Sequence, residues 1–127
     1  MKRYSVFLII ILLMNACSKD NSASYENAFA ITNCNKINNP GSGFAKIQLT
    51  VVNNSQLTGG CWAYVKIKKG NTIIETGTMI FSSLNPGESQ IEEAWFSKFD
   101  SHSEYDRAEV TLNWNIDSTG YSRNYSY

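Results

Sequence analysis

Apolar and polar residues alternate along two stretches near the middle of the chain. Over residues 45–52, Ile47, Leu49 and Val51 fall on one side of an extended chain. Over residues 61–68, Cys61, Ala63, Val65 and Ile67 share one side, and Trp62, Tyr64, Lys66 and Lys68 share the other. A side-chain period of two is that of a β-strand with one buried face. Residues 53–60 between them are polar and carry glycine, so the two runs read as antiparallel strands.

The pattern continues on both sides. Residues 28–37 predict a first strand with Phe29, Ile31 and Cys34 turned inward, closed by the breaker Asn38-Asn39-Pro40-Gly41-Ser42-Gly43. Residues 72–81 predict another strand, in which Gly77 signals a bulge or bend. Leu84-Asn85-Pro86-Gly87-Glu88-Ser89 has turn chemistry. Residues 90–96 set Ile91, Glu93 and Trp95 opposite Glu92, Ala94 and Phe96. Residues 108–114 place Ala108, Val110, Leu112 and Trp114 inward. After a turn over 117–120, residues 121–127 put Tyr121, Arg123, Tyr125 and Tyr127 on one side. About seven strands with regular turn signals and no helical period predict an all-β antiparallel sandwich over residues 28–127.

The N-terminus has a different character. Lys2 and Arg3 precede a short apolar run over residues 4–14. That run is shorter than the roughly 20 residues a spanning helix needs and has the layout of an export signal. Met14-Asn15-Ala16-Cys17 resembles the lipobox of bacterial lipoproteins. The resemblance implies a signal peptide over 1–16, lipidation of Cys17 and attachment to a membrane through that lipid. Residues 17–27 are polar and read as a flexible tether.

Charge adds little. The chain has 11 basic and 11 acidic residues, so it offers no electrostatic footprint for nucleic acid. Of the three cysteines, lipidation of Cys17 leaves Cys34 and Cys61. An even number in an exported chain favours a Cys34–Cys61 disulfide, with two buried free thiols as the alternative.

Val51-Val52-Asn53-Asn54-Ser55, the strand and glycine turn over 64–71, and Leu84-Asn85-Pro86-Gly87-Glu88-Ser89 are together similar to small extracytoplasmic immunoglobulin-like modules of the FxLYD type. Lys66-Ile67-Lys68-Lys69 stands where the naming motif would lie. The resemblance implies an immunoglobulin-like sandwich serving as an adhesive or accessory module without catalysis.

Catalytic chemistry has little to build on. His102, the only histidine, lies in a loop beside Ser101, Ser103 and Glu104, without the scaffold a triad needs. Asp100, Glu104 and Asp106 lack the ligand spacing of a calcium loop. Glu92 and Glu93 are neighbours on a strand and therefore point to opposite faces. No CxxC, histidine cluster or phosphate loop is present, and no metal or other cofactor is expected. The expected protein is a lipid-anchored β-sandwich of the cell envelope, held on the outer membrane at its periplasmic face or the cell surface. It would bind or scaffold a protein or glycan partner. The alternative is a carbohydrate-binding accessory lipoprotein that uses Trp62 and Tyr64, because exposed rings present rigid area with a polar edge; against it stands the reading of these rings as core or edge packing.

Overall fold

The computed structural model describes residues 25–39, 44–98 and 104–127. The signal segment, Cys17 and His102 lie outside them, and so does most of the tether. Among the described residues there are seven strands: β1 (Phe29–Asn39), β2 (Phe44–Asn53), β3 (Gly59–Lys69), β4 (Thr72–Leu84), β5 (Ser89–Phe96), β6 (Arg107–Ile116) and β7 (Thr119–Ser126). They form two antiparallel sheets, in the orders β1-β2-β5 and β4-β3-β6-β7. The chain changes sheet after β2, β4 and β5, which makes an immunoglobulin-like sandwich.

The strictly alternating runs set the core. Ala45, Ile47, Leu49 and Val51 of β2 meet Cys61, Ala63, Val65 and Ile67 of β3 across the sandwich, with Ala94 and Phe96 of β5 and Ala108, Val110, Leu112 and Trp114 of β6. All of these are buried, and full burial of each larger aliphatic side chain contributes about 1.5–3 kcal/mol.

Two strands depart from simple alternation. In β1 the pairing with β2 shifts between Ile31 and Asn33, and the extra residue brings Phe29, Ile31 and Cys34 to the same inner side. In β4 the buried residues are Met79, Phe81 and Leu84, while Ile73 and Ile80 face solvent. The bend expected at Gly77 is corrected: Gly77 pairs in continuous register with Val65. Its role is close approach between the sheets. A Cβ there would lie 3.1 Å from the Phe96 ring and 3.2 Å from Ala94 Cβ.

Both open sides of the sandwich are stitched. On the β4–β5 side, the Glu75 carboxylate accepts from the backbone N–H groups of Ser97 (3.3 Å) and Lys98 (3.0 Å). On the β1–β7 side, Ile31 N–H donates to the Tyr125 hydroxyl at 3.2 Å, next to the β1 bulge. Where the chain enters the domain, the Tyr25 carbonyl accepts from the buried Trp114 indole (2.9 Å) and from Ala28 N–H (3.2 Å).

The two turn motifs meet in space. Asn53 is fully buried. Its Nδ2 donates to the carbonyls of Leu57 (2.8 Å) and Leu84 (2.9 Å), and its Oδ1 accepts from Ser55 N–H (2.9 Å) and the Ser55 hydroxyl (2.7 Å). Its backbone exchanges bonds with Gly87 and Glu88. Val51-Val52-Asn53-Asn54-Ser55 and the turn over 84–89 are therefore two halves of one hydrogen-bonded unit. The β6–β7 hairpin turns on Asp117 and Ser118, at φ 49° and 66°, the backbone sense that matches strand twist.

The expected disulfide is corrected as well: Cys34 and Cys61 are free thiols. The reason is position. Cys34 neighbours Tyr105 and Tyr127, and Tyr127 bonds to Ala108, which pairs with Ile67 of β3. Cys61 lies six positions along β3 from Ile67, roughly 20 Å away at strand spacing. A disulfide tolerates a Cα separation of no more than about 7 Å. Burial pushes the Cys61 thiol up to about 12, as it does the Tyr105 hydroxyl, beside which the Cys34 sulfur adds a smaller push.

Candidate functional site

The outer face of the β4-β3-β6-β7 sheet is built in rows of side chains set by the register. Ile80, Trp62, Asn113 and Ser122 form the first row, and Thr78, Tyr64, Thr111 and Asn124 the second. Trp62 and Tyr64 are 39% and 37% exposed, as their outward phase predicts, and Ile80 is 68% exposed. The two rings stand about 7 Å apart along β3, and the four strands span roughly 14 Å at normal spacing.

No ionisable acid or base other than the Tyr64 phenol stands in these two rows. Charge begins in the next rows, where Glu109 accepts from Lys68 Nζ (3.1 Å) and Arg107 Nε (2.9 Å). The bonds from Arg107 and then Lys68 hold the Glu109 carboxyl below its ordinary value. Lys66 stands over the Tyr64 ring at 5.7 Å from its centre.

Hydrogen-bonding capacity in the neutral rows is only partly used. Thr111 Oγ1 donates to Asn124 Oδ1 (2.9 Å), and Asn113 Nδ2 donates to the Thr111 carbonyl (3.1 Å). Asn113 Oδ1, Asn124 Nδ2, the Tyr64 hydroxyl and the Thr78 hydroxyl have no partner among the described residues.

Beside Trp62 lies a shallow, mainly apolar groove of about 510 Å³, bounded by Gly60, Thr78, Ile80 and Ser83. A bulge shapes it. The β3–β4 register shifts between Gly59 and Cys61, where a Cβ on Gly60 would lie 2.7 Å from the Phe81 carbonyl oxygen. Across from it Ser83 adopts φ 58°, which returns Leu84 to the core.

The opposite outer face, on β1-β2-β5, also carries rings. Trp95 is 53% exposed and Phe44 36%, with ring centres 5.6 Å apart in an edge-on arrangement. Its polar groups satisfy one another. Lys46 Nζ donates to both Glu93 oxygens (2.9 and 3.0 Å) while standing 5.0 Å over Trp95, and Gln48 Nε2 donates to Glu93 at 2.9 Å. These bonds hold the Glu93 carboxyl below its ordinary value.

The other sequence candidates fall elsewhere. Glu92 and Glu93 face opposite ways, paired with Leu49 and Gln48. Asp106 ties down the β3–β4 turn: its carboxylate accepts from Gly70 N–H, and its N–H donates to the Lys68 carbonyl (2.9 Å). Among the described residues no group of three His, Cys, Asp or Glu is placed to hold a metal ion, and no helix is long and apolar enough to cross a membrane. Sequence reasoning missed Ile80, because an isoleucine in a β-rich run reads as core. It also missed the open amides, because Asn113 and Asn124 carry no signal until the register places them beside the rings.

No protein-family model and no curated protein matches the chain. Among solved structures it is similar to a β-glucosidase from Erythrobacter marinus, at 9% identity and a TM-score of 0.42, over 77% of this chain and 15% of that one. A β-glucosidase from Bifidobacterium adolescentis is similar at 16% identity and a TM-score of 0.40, over 76% of this chain and 17% of that one. The chain thus aligns with a small fraction of the length of either enzyme.

Proposed function

We propose that this chain is a non-catalytic binding module of the cell envelope, carried on a lipid at Cys17, that holds its partner on the outer face of the β4-β3-β6-β7 sheet. The observation that carries the reading is that Trp62, Tyr64 and Ile80 are exposed on one face beside amides and hydroxyls, those of Asn113, Asn124 and Thr78, that keep donors and acceptors without partners among the described residues. Solvent-facing rings with a polar edge supply rigid contact area at low entropic cost. The lipobox-like Met14-Asn15-Ala16-Cys17 supports the anchor. A multi-chain acyl anchor holds firmly, at about 0.8 kcal/mol per buried CH₂.

Two experiments test this reading. Labelled palmitate is expected to enter the wild-type chain and not Cys17→Ser. A benzophenone side chain introduced at position 64 is expected to form an adduct in intact cells, while one at position 48, on the opposite face, forms none. Equal labelling at both positions, or none at either, would remove the binding face.

A further inference from the structure

We infer that the partner on this face is an uncharged polysaccharide, its sugar rings stacked on Trp62 and Tyr64. The inference rests on the reading that the outer face of the four-stranded sheet is the binding surface, and it names the ligand class. The argument is complementarity of charge and of hydrogen-bonding groups. A pyranose ring presents C–H bonds on its faces and hydroxyls around its rim. The C–H faces match the electron-rich faces of the indole and phenol rings. The rim needs both donors and acceptors at the same height above the sheet.

The two neutral rows supply them. Asn113 Oδ1 accepts, Asn124 Nδ2 donates, and the hydroxyls of Tyr64 and Thr78 do either, all without partners among the described residues. The register sets Asn113 directly beside Trp62, and Thr78 directly beside Tyr64. The bulge at Gly60 and the groove along Ile80 leave the outer side of Trp62 open to a chain lying across the strands. An acidic ligand would seek fixed positive charge, and these rows hold none. Charge of either sign enters only at their border, where Lys66 stands over the Tyr64 ring and lies in register with Glu109, so the rows themselves offer neither an acidic nor a basic ligand a counter-charge. The opposite face lacks the same capacity, since the lysine, amide and carboxylate beside Trp95 are bonded to one another.

Affinity electrophoresis of the full chain in non-ionic detergent tests this. Laminarin, xyloglucan and galactomannan serve as neutral probes, and polygalacturonate as the charged one. At least one neutral polysaccharide is expected to slow the chain, equally at low salt and in about 0.5 M NaCl, where charge interactions are screened within a few ångströms. Trp62→Ala is expected to weaken retention by about tenfold or more and Trp62→Phe to keep most of it. Asn113→Ala, which leaves both rings in place, is expected to weaken retention as well and covers the case in which Trp62→Ala fails to fold.

The inference is overturned if no neutral polysaccharide slows the chain, if polygalacturonate alone does so in a salt-sensitive way, or if folded Trp62→Ala runs like wild type. A protein adduct from position 64 without retention on any neutral polysaccharide would overturn the ligand class and leave the binding face standing. No adduct and no retention would remove both.

Discussion

The two outer faces of the sandwich carry similar residues in opposite states. On β1-β2-β5, Trp95 is more exposed than Trp62, at 53% against 39%, yet its ring lies under Lys46 and against Phe44. The carboxylate and amide beside it are bonded to each other and to the same lysine. On β4-β3-β6-β7 the rings are less exposed, but the amides and hydroxyls beside them keep unused donors and acceptors. Exposure of an aromatic ring therefore does not by itself mark a binding surface. The unspent hydrogen-bonding capacity around it separates the two faces.

On the proposed reading, stability resides in the interior and the satisfied face, and binding on the unsatisfied one. The strongest stress on that division is Asn53→Ala. It removes the side-chain partner of the Leu84 carbonyl and of Ser55 N–H, while the Ser55 hydroxyl and the Leu57 carbonyl keep each other, and is expected to cost about 2 kcal/mol in denaturant unfolding. Gly77→Val is expected to cost as much, about 2 kcal/mol, because the new side chain meets the Phe96 ring and Ala94. A cost this large for any substitution in the Trp62 row would break the comparison.

The comparison is sharpest between the tryptophans. Trp95→Ala loses the Phe44 and Lys46 contacts and is expected to cost about 1 kcal/mol. Trp62→Ala, which loses neither a ring–ring contact nor a salt-bridged cation, is expected to cost less than Trp95→Ala. Equal losses in thermal unfolding would mean that both rings are structural.

The smallest effect is a titration. The bonds from Lys46 and then Gln48 hold the folded Glu93 carboxyl below its ordinary 4.5, so its contribution is complete above that pH and lost as pH falls through the depressed value. Glu93→Gln is expected to melt slightly earlier than wild type at neutral pH, with the gap closing below pH 4.5. A gap that persists in acid would assign the difference to packing.

The strands that read most clearly in the sequence are those with unbroken alternation. In β2, β3 and β6 one face is apolar and the next residue polar or solvent-tolerant, so the period shows the phase; in β5 both faces carry two apolar residues and a glutamate, and the period alone does not say that Ala94 and Phe96 face in. β1 and β4 hide their phase. The β1 bulge moves Cys34 into step with Ile31 by one inserted residue, and isoleucine appears on both sides of β4. Gly77 reads as a bend because nothing local tells of Phe96 approaching from the other sheet. Cysteine parity carries no distance, so it could not tell that Cys34 and Cys61 sit toward opposite ends of the sandwich. Asn53 looks like a turn residue and is one, but its burial depends on Leu84, 31 residues away. The period put the rings of the candidate site on one face with Lys66 and Lys68, but two bulky aromatics there also read as core or edge packing, and only their exposure in the fold decides it. Their polar neighbours were not legible, because those come from β6 and β7 and only register brings them alongside.

The Tyr25 carbonyl has a mechanical consequence. It is held at once by the first turn of the domain and by the indole of Trp114, the largest side chain in the interior. A tug on the upstream chain would thus load a fully buried core side chain before it could unzip the first strand. The sheet that carries Trp62 would keep its shape under load.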